Sequence, residues 1–454
     1  MIYGQRNIIV VGGNAAGCAA AAKAKRTAPN CRVLLFEAGS FISTGTCELP
    51  YVLSGEIKDY NDIIFFSPES FFRSKGVEVF VYHYVEQISR REKTIFVKNL
   101  IDGKKYKYDY DRLILCTGSI AKRVSSLNSN FQNHFYLKTV SDYLRIKNYL
   151  NNNIVKKVLI IGAGYIGLEA AEAFKKLNLD VTILEKTELP MPNEEEEVRE
   201  LIQEVIKKNG VEFYGNVSEF RFNYIDGKIT NADIDGRLIE FDLYLSAIGV
   251  EPNNELALSA RLDLGEYGGM KVDNRLRTSD MKIYAAGDNI EVINKVTGRP
   301  TYIPIATHAH NHGHIAGANA AGGNNLYEPV VKNIAVKIFD NVLVSVGLTL
   351  REAFEYGFKA ESVFDVAQNL VPVMPGSNNV CGKVIYDSNS KMILGATFFG
   401  YSEVIGYGDV IATFIHNKIK VNALSEINYS YTPPSSPLVN LLSILGRKIK
   451  KDMK

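Results

Sequence analysis

The chain has 454 residues, of which 46% are hydrophobic and 22% are charged, as in ordinary globular proteins. Domains usually contain ~100–200 residues, so we expect two or three of them. The net charge of +2 gives no reason to expect a nucleic-acid partner. No segment approaches the ~18 consecutive apolar residues of a membrane span, and none resembles a signal peptide. We therefore expect a cytoplasmic protein without a membrane partner.

Residues 7–37 are predicted to form a strand, a glycine-rich turn, a helix and a second strand. Such a turn lets the pyrophosphate of a dinucleotide approach the backbone, and the helix N-terminus offers it free N–H groups. An acidic residue that ends the second strand binds a ribose, and Glu37 has that position. The candidate dinucleotide contacts in the turn are Gly12, Asn14, Ala15, Ala16 and Gly17.

The five cysteines are odd in number and form no CxxC pair. This pattern argues against a structural disulfide framework or a zinc site, so any sulfur chemistry belongs to one thiol. Cys47 is the candidate, because polar residues surround it and Pro50 suits the first turn of a helix. A helix N-terminus predicts a lowered pKa for this thiol. We expect the other four cysteines to be packing residues: Cys18, Cys31, Cys116 and Cys381.

Residues 156–185 repeat the strand, turn, helix and strand, here with a full GxGxxG sequence. Two such units, each ending in an acidic residue, predict two dinucleotide sites. Glu185 ends the second unit and favours NADH, because its carboxylate accepts a hydrogen bond from a 2′-hydroxyl and repels a 2′-phosphate. NADPH stays possible. The glycines of this turn are Gly162, Gly164 and Gly167.

Alternating patterns predict antiparallel strands in residues 77–116 and again in residues 210–249. After about residue 326 the pattern changes and predicts a separate α+β domain. It contains three expected strands, the first of which is KIFDNVLVSVGLT, and a helix over residues 402–417. Glu194 to Glu197 are expected to be a solvated helix start.

Four more segments carry a resemblance: LILCTGS (113–119), AIGVEPN (247–253), IYAAGD (283–288) and residues 304–322. With the two glycine motifs, they resemble the FAD-dependent pyridine nucleotide–disulfide oxidoreductases over nearly the whole length. The resemblance implies an α/β fold, with two Rossmann-like domains for FAD and NAD(H) and a C-terminal α+β dimerisation domain. The implied ranges are 1–122 and 247–325 for FAD, 123–246 for NAD(H), and 326–454 for dimerisation.

The resemblance also implies roles for individual residues. Asp288 matches the aspartate that binds the ribityl chain of FAD, and Tyr165 and Glu169 match residues that gate and orient the nicotinamide. The remaining implied cofactor contacts are Thr117, Gly118, Ile166, Gly249, Gly287 and Ala306.

Cys47 is followed by ELPY, so the CxxxxC pair of most disulfide reductases is missing. The chain is therefore similar to the single-cysteine branch, which includes coenzyme A-disulfide reductases, persulfide and polysulfide reductases, NADH oxidases and NADH peroxidases. Oxidases and peroxidases of this branch have a histidine where Ala15 stands, which favours a reductase. Tyr431 matches a tyrosine that reaches the partner's cysteine in similar homodimers. The implied substrate contacts are Lys23, Arg26, Ser43, Thr46 and His310.

The expected function is NADH-dependent reduction of a small-molecule disulfide or persulfide through FAD and Cys47. The hypothesis has Tyr431 of the partner subunit, or His310, protonate the leaving thiolate. One alternative is an NADH oxidase or peroxidase that cycles Cys47 through sulfenic acid. Another is an electron-transfer reductase for a protein such as rubredoxin. We expect no metal site, because in the run His308 to His314 only residues four apart share a helix face.

Overall fold

The computed structural model describes residues 6–124 and 131–452, so the extreme ends of the predicted first and last domains and residues 125–130 lie outside it. The first glycine unit belongs to a five-stranded parallel sheet. Its strands, in spatial order, are Ile283–Ala285, Arg112–Leu115, Asn7–Val11, Arg32–Phe36 and Glu78–Phe80.

Two helices pack closely against each other beside this sheet, Ala15–Thr27 and Ala306–Ala320. The contact needs small residues on both helices. A Cβ added at Gly313 would lie 2.2 Å from the carbonyl oxygen of Ala16, and one at Gly317 would lie 2.2 Å from that of Ala20. The alanines of the first helix and the glycines of the second therefore bring the two backbones together.

The second glycine unit belongs to another five-stranded parallel sheet. Its strands, in spatial order, are His134–Phe135, Leu243–Ser246, Lys157–Ile161, Asp180–Leu184 and Val211–Tyr214. The helices of this part are Val140–Asn152, Tyr165–Lys176 and Glu196–Lys208.

In residues 77–116 and 210–249, which were predicted to form antiparallel strands, only the middle strands are antiparallel. Two three-stranded antiparallel sheets are present. They consist of His83–Ser89, Thr94–Asn99 and Lys105–Asp109, and of Arg221–Ile225, Lys228–Ile234 and Arg237–Glu240. The outer strands Glu78–Phe80, Arg112–Leu115, Val211–Tyr214 and Leu243–Ser246 join the parallel sheets instead. Periodicity alone does not tell a short buried strand of a parallel sheet from an antiparallel one, so the prediction for these four strands was wrong.

The C-terminal part is built on a five-stranded antiparallel sheet. Its strands, in spatial order, are Asn333–Ile338, Asn341–Gly347, Ile393–Gly400, Asn379–Asp387 and Ala360–Gln368. Its helices are Leu350–Glu355, Val404–Asn417 and Leu441–Asp452. The helix predicted over residues 402–417 is therefore confirmed. The segment expected as one strand is a hairpin that turns at Phe339 (φ 52°), and the strand Ala360–Gln368 was not predicted.

Short elements complete the described part of the chain. They are the helices Leu49–Ser54, Pro68–Lys75 and Glu255–Ser259, the 3₁₀ turns Thr46–Glu48, Tyr60–Ile63 and Val421–Ser425, and the strands Ile42–Thr44, Ile64–Phe66, Ser119–Ala121, Val250–Pro252, Val292–Ile293 and Pro300–Thr301. Among the described helices, none has the length and apolar character that crossing a bilayer requires. The α/β architecture with two Rossmann-like sheets and a C-terminal α+β part is as predicted.

Candidate active site

A cavity of about 2090 Å³ connects the two glycine turns, and Cys47 lies on its wall. Ligand pockets usually measure ~300–1,000 Å³, so this cavity has room for more than one cofactor-sized molecule. Its walls come from both parallel sheets and from the C-terminal sheet at residues 333–336.

The first glycine turn has the geometry of a dinucleotide site. Gly12 has a φ of 102°, and a Cβ at Gly17 would lie 1.8 Å from the carbonyl oxygen of Gly12. Glycine is therefore required at both positions. The carboxylate of Glu37 accepts hydrogen bonds from the N–H groups of Gly13 and Gly39, each at 2.7 Å. These bonds hold the predicted ribose-binding carboxylate at the end of its strand, on the cavity wall.

The second turn repeats this arrangement residue for residue. Gly162 has a φ of 102°, and a Cβ at Gly167 would lie 2.0 Å from the carbonyl oxygen of Gly162. Glu185 accepts hydrogen bonds from the N–H of Ala163 at 2.8 Å and from that of Thr187 at 3.1 Å. Two sites of one design thus open into one cavity.

Other glycines leave the free space that a bound cofactor needs. A Cβ added at Gly118, Gly164 or Gly249 would meet no protein atom within 4 Å, and all three glycines line the cavity. The backbone at these points is open to a ligand, so the residues present fit two dinucleotide cofactors. Ile166, Gly287 and Ala306 line the same cavity.

Asp288 lies on the cavity wall between the first sheet and the helix Ala306–Ala320. Its Oδ2 accepts a hydrogen bond from the hydroxyl of Ser119 at 3.1 Å, and its carbonyl oxygen accepts one from the hydroxyl of Tyr302 at 2.9 Å. The hydroxyl of Thr117 donates to the carbonyl oxygen of Asn253 at 2.7 Å. The segments that carry the resemblance therefore meet at one place in the fold.

Cys47 is exposed to the cavity and lies in the 3₁₀ turn that precedes the helix Leu49–Ser54, which has Pro50 in its first turn. The predicted lowering of its pKa is wrong. Partial burial raises the pKa of this thiol, and the carboxylates of Glu48, Glu169 and Asp288 raise it further. The helix has only 6 residues, so its dipole is too small to outweigh these effects.

Lys138 is the cation that opposes this rise, because its charge lowers the pKa of the Cys47 thiol. It lies on the cavity wall, one residue before Thr139, whose side chain caps the helix Val140–Asn152. Sequence reasoning missed Lys138. Nothing in the local sequence marks it, since its position opposite Cys47 depends on how the two sheets are placed.

Tyr165, which is partly buried, and Glu194, which is buried, form a pair beside the second glycine turn. The hydroxyl of Tyr165 donates to Glu194 Oε1 at 2.6 Å, and burial raises the pKa of both groups. Glu194 and Glu195 are thus buried, against the expectation of a solvated helix start. The C-terminal sheet covers them, and Lys383 lies 2.8 Å from Glu195 and 2.9 Å from Glu197.

Glu169 lies one turn further along the same helix and also lines the cavity. Burial raises its pKa to about 7, and the nearby carboxylate of Glu172 adds to the rise, while Lys337 opposes it. A carboxyl group with this pKa is protonated in part of the molecules at neutral pH.

The predicted substrate residues divide into two groups. Thr46 lines the cavity with Cys47. Lys23, Arg26 and His310 do not line the cavity. Burial lowers the pKa of His314, and the charges of these three residues lower it further. All three therefore lie close to His314 and to one another. Ser43 does not line the cavity and lies in the left-handed region at a φ of 51°. Tyr431 is 48% exposed and does not line the cavity either.

The histidine run behaves as its helical spacing predicts. The ring centroids of His308 and His312 lie 6.2 Å apart, and those of His310 and His314 lie 4.6 Å apart on another face. Within residues 6–124 and 131–452, no group of three or more possible ligands is placed to hold a metal ion. The predicted packing cysteines Cys18, Cys31, Cys116 and Cys381 are all buried.

Residues 6–313 match the family described as pyridine nucleotide-disulphide oxidoreductase. The chain belongs to this family. It is therefore an oxidoreductase that uses FAD and a nicotinamide cofactor, as predicted. Two glycine turns that share one cavity are consistent with two such cofactors.

Relatives of the chain are named for disulfide or persulfide reduction and for NADH oxidation. The chain is 28% identical to a coenzyme A disulfide reductase from Staphylococcus aureus, over 98% of this chain and 99% of that protein. It is 29% identical to an NADH oxidase from Methanocaldococcus jannaschii, again over 98% and 99%. Among solved structures, an NAD-dependent persulfide reductase from A. fulgidus is 28% identical with a TM-score of 0.93, over 98% of this chain and 83% of that one.

Proposed function

We propose that the protein is an NADH-dependent, FAD-containing reductase of coenzyme A disulfide, coenzyme A persulfide or a related polysulfide. The observation that carries the proposal is the single thiol of Cys47, open to a cavity that both glycine turns share. Relatives named as coenzyme A disulfide reductase and persulfide reductase, similar over nearly their whole length, support this substrate class.

The first glycine turn, with Glu37, is the proposed site of the FAD adenosine and pyrophosphate, and Asp288 that of the ribityl chain. The second turn, with Glu185, is the proposed NADH site. FAD supplies the transfer of two electrons from a nicotinamide to sulfur. Tyr165, which lines the cavity beside this turn, is proposed to cover the nicotinamide when it is bound. These assignments correspond to the predicted domain ranges 1–122 with 247–325, 123–246, and 326–454.

Cys47 is proposed to attack the substrate disulfide as a thiolate. The S–S bond breaks, Cys47 forms a mixed disulfide with one half, and the other half leaves as a thiolate. Tyr431 of the partner subunit is proposed to give this leaving group its proton, because His310, the other donor expected from the sequence, does not line the cavity with Cys47. Lys138 favours the attacking form, because its positive charge opposes the three carboxylates that raise the pKa of the thiol.

The substrate's phosphate groups are proposed to bind at the basic surface formed by Lys23, Arg26 and His310 outside the cavity. Along the chain, Ser43 and Thr46 lie between Arg26 and Cys47. A homodimer is proposed because Tyr431 is 48% exposed and does not line the cavity of its own chain. A cytoplasmic location is proposed with this function, since a reduced cysteine requires a reducing compartment.

An NADH oxidase is the second candidate, because a relative similar over its whole length has that name. In this reaction Cys47 would alternate between thiolate and sulfenic acid. Ala15 argues against it, because this position of the first turn, on the cavity wall, has a methyl group in place of an acid–base side chain.

The test is anaerobic NADH consumption by the purified flavoprotein with coenzyme A disulfide as the acceptor. We expect turnover in the wild type and its loss in Cys47→Ser, while NADH still bleaches the flavin at 450 nm in both. Cys31→Ser, a buried cysteine outside the cavity, is the matched control and should keep turnover. Turnover with oxygen alone, and none with coenzyme A disulfide, would support the oxidase instead.

A further inference from the structure

The side chain of Tyr165 is fixed at both ends. Its backbone begins the helix Tyr165–Lys176 directly after Gly164 of the second turn. Its hydroxyl donates to Glu194 Oε1 at 2.6 Å, a distance typical of O–H···O⁻ bonds, which are about twice as strong as bonds between neutral groups. Among the described residues, Glu194 is the only hydrogen-bond partner of this hydroxyl. The ring between the two ends lines the cavity, so this one bond sets its orientation there.

The loop that carries Glu194 is attached to the second glycine turn itself. The N–H of Met191, a buried residue, donates to the carbonyl oxygen of Ala163 in that turn at 2.9 Å. The N–H of Glu194 then donates to the carbonyl oxygen of Met191 at 3.0 Å. The donor and the acceptor of the Tyr165 bond are therefore both anchored at the same turn.

The C-terminal sheet holds Glu194 from the other side. The hydroxyl of Thr397 donates to Glu194 Oε2 at 3.4 Å, and the hydroxyl of Ser345 is a further hydrogen-bond partner of the carboxylate. Both hydroxyl groups belong to buried residues in strands of this sheet. In the part of the chain that the structure describes, no cation forms an ion pair with Glu194, although the charge of Lys332 lowers its pKa from further away. Three hydroxyl groups thus hold this buried carboxylate.

A ring that is already fixed binds a ligand at a lower entropic cost than a mobile ring. A mobile side chain must lose rotamer freedom when it packs on a ligand, which weakens binding about 2–10-fold for each such side chain. Tyr165 loses this freedom when the protein folds, because its hydroxyl is bound to Glu194. The bond therefore prepares the ring for a ligand in the cavity.

We propose that Glu194 is a positioning residue for NADH, which fixes through the hydroxyl of Tyr165 the ring that covers the nicotinamide. The inference rests on the proposed function, in which Tyr165 has that place, and adds the residue that orients it. Glu194 acts through its hydrogen bond rather than through its charge, so a neutral acceptor of the same shape should replace it. The C-terminal sheet takes part in NADH binding in this way, because Thr397 and Ser345 hold the same carboxylate.

The test is flavin reduction by NADH in an anaerobic stopped-flow experiment on the FAD-loaded protein, which needs no disulfide acceptor. The dependence of bleaching at 450 nm on NADH concentration gives the dissociation constant of NADH and the limiting rate. Glu194→Leu removes the acceptor and Tyr165→Phe removes the donor, and each should raise the dissociation constant about 2–10-fold. The double variant should bind NADH no more weakly than either single variant, because both changes remove the same bond.

Two controls separate the hydrogen bond from the charge and from the stability of the fold. Glu194→Gln keeps an acceptor oxygen for Tyr165, so its dissociation constant for NADH should stay within about 2-fold of the wild type. Glu195→Gln changes the neighbouring contact with the C-terminal part, where Glu195 accepts from the N–H of Leu350 at 2.7 Å and pairs with Lys383 at 2.8 Å. It should lower the Tm and leave the dissociation constant of NADH unchanged.

Three results would overturn the proposal. In the first, Glu194→Leu binds NADH as tightly as the wild type or more tightly. In the second, Glu194→Gln weakens NADH binding as much as Glu194→Leu does, so the charge acts and the hydrogen bond does not. In the third, the effects of Glu194→Leu and Tyr165→Phe add up in the double variant.

Tyr165→Ala separates these failures from a failure of the proposed function. This variant lacks the ring, so an unchanged dissociation constant of NADH would refute the proposed place of Tyr165 at the nicotinamide. A wild-type flavin that NADH does not bleach would refute the proposed NADH site as a whole. Weaker NADH binding in Tyr165→Ala together with wild-type binding in Glu194→Leu would refute only the role of Glu194.

Discussion

Two glycines of the second turn, three residues apart, have opposite surroundings. A Cβ at Gly167 would lie 2.0 Å from the carbonyl oxygen of Gly162, about 1 Å inside any contact that real Cβ atoms make. A Cβ at Gly164 would meet no protein atom within 4 Å, and the φ of −83° at this residue suits alanine. Alanine at Gly167 therefore disturbs the fold, whereas alanine at Gly164 intrudes only on a bound ligand.

The expected magnitudes follow from this difference. Gly167→Ala must push the helix Tyr165–Lys176 away from the strand before the turn, an overpacking that costs about 1–3 kcal/mol. For a domain of ~150–250 residues, this free-energy cost corresponds to a loss of about 2–12 °C in Tm. Gly164→Ala should keep the wild-type Tm and weaken the binding of NADH about 10–100-fold, which corresponds to about 1.4–2.8 kcal/mol.

Thermal melting, flavin absorbance and NADH titration under anaerobic conditions separate the two effects. Both variants should retain FAD, because the first glycine turn is untouched. The equivalent change in the first turn, Gly17→Ala, should reduce the FAD content of the purified protein instead, because its Cβ would lie 1.8 Å from a backbone oxygen. Wild-type NADH affinity in Gly164→Ala, or an unchanged Tm in Gly167→Ala, would refute the reasoning.

Two other predictions concern stability. Lys383→Met should lower the Tm, because it leaves the buried carboxylate of Glu195 unpaired, a loss of about 3–5 kcal/mol; Lys105→Met, which removes an exposed pair, is the control and should change the Tm little. His312 is 3% exposed, and burial lowers its pKa from 6.5 to about 3. Between those values the unfolded chain binds a proton that the folded protein does not, so stability falls as pH falls from about 6.5, by up to about 1.4 kcal/mol per pH unit. His312→Leu should flatten this loss in a pH series of melting curves; a curve as steep as that of the wild type would contradict the assignment.

The two glycine units could be predicted from sequence because their determinants are local. The turn, the helix start and the acidic residue lie within about thirty residues, and the same backbone hydrogen bonds hold Glu37 and Glu185. The burial of Glu194 could not be predicted from local sequence in this way. Glu194 is buried by the C-terminal sheet, for example by Thr397, which lies 203 residues further along the chain. A run of glutamates before a helix is therefore predicted to be solvated as long as the position of the C-terminal sheet is unknown.

The sign of the pKa shift at Cys47 was missed for the same reason. Local sequence offers a helix start and a proline, which favour a thiolate. Desolvation raises the pKa of the thiol, and so do Glu169 and Asp288, which come from two other parts of the chain; Lys138, from a third part, opposes this rise without cancelling it. Cys47 can therefore be proposed as the redox cysteine from its local sequence, whereas its reactivity depends on the assembled cavity and on what binds there.

The position of Cys47 between the two cofactor turns follows from how its segment is attached at each end. Before it, the N–H of Ser43 donates to the carbonyl oxygen of Gly13 at 2.8 Å, and the N–H of Thr44 donates to Asn14 Oδ1 at 3.1 Å. After it, the helix Leu49–Ser54 packs into the hydrophobic core of the second unit. Asn14, which replaces the middle glycine of the motif, therefore has a structural role that glycine could not fill. One end of the segment is fixed to the first turn and the other to the second unit, so the thiol is held where the two sites meet.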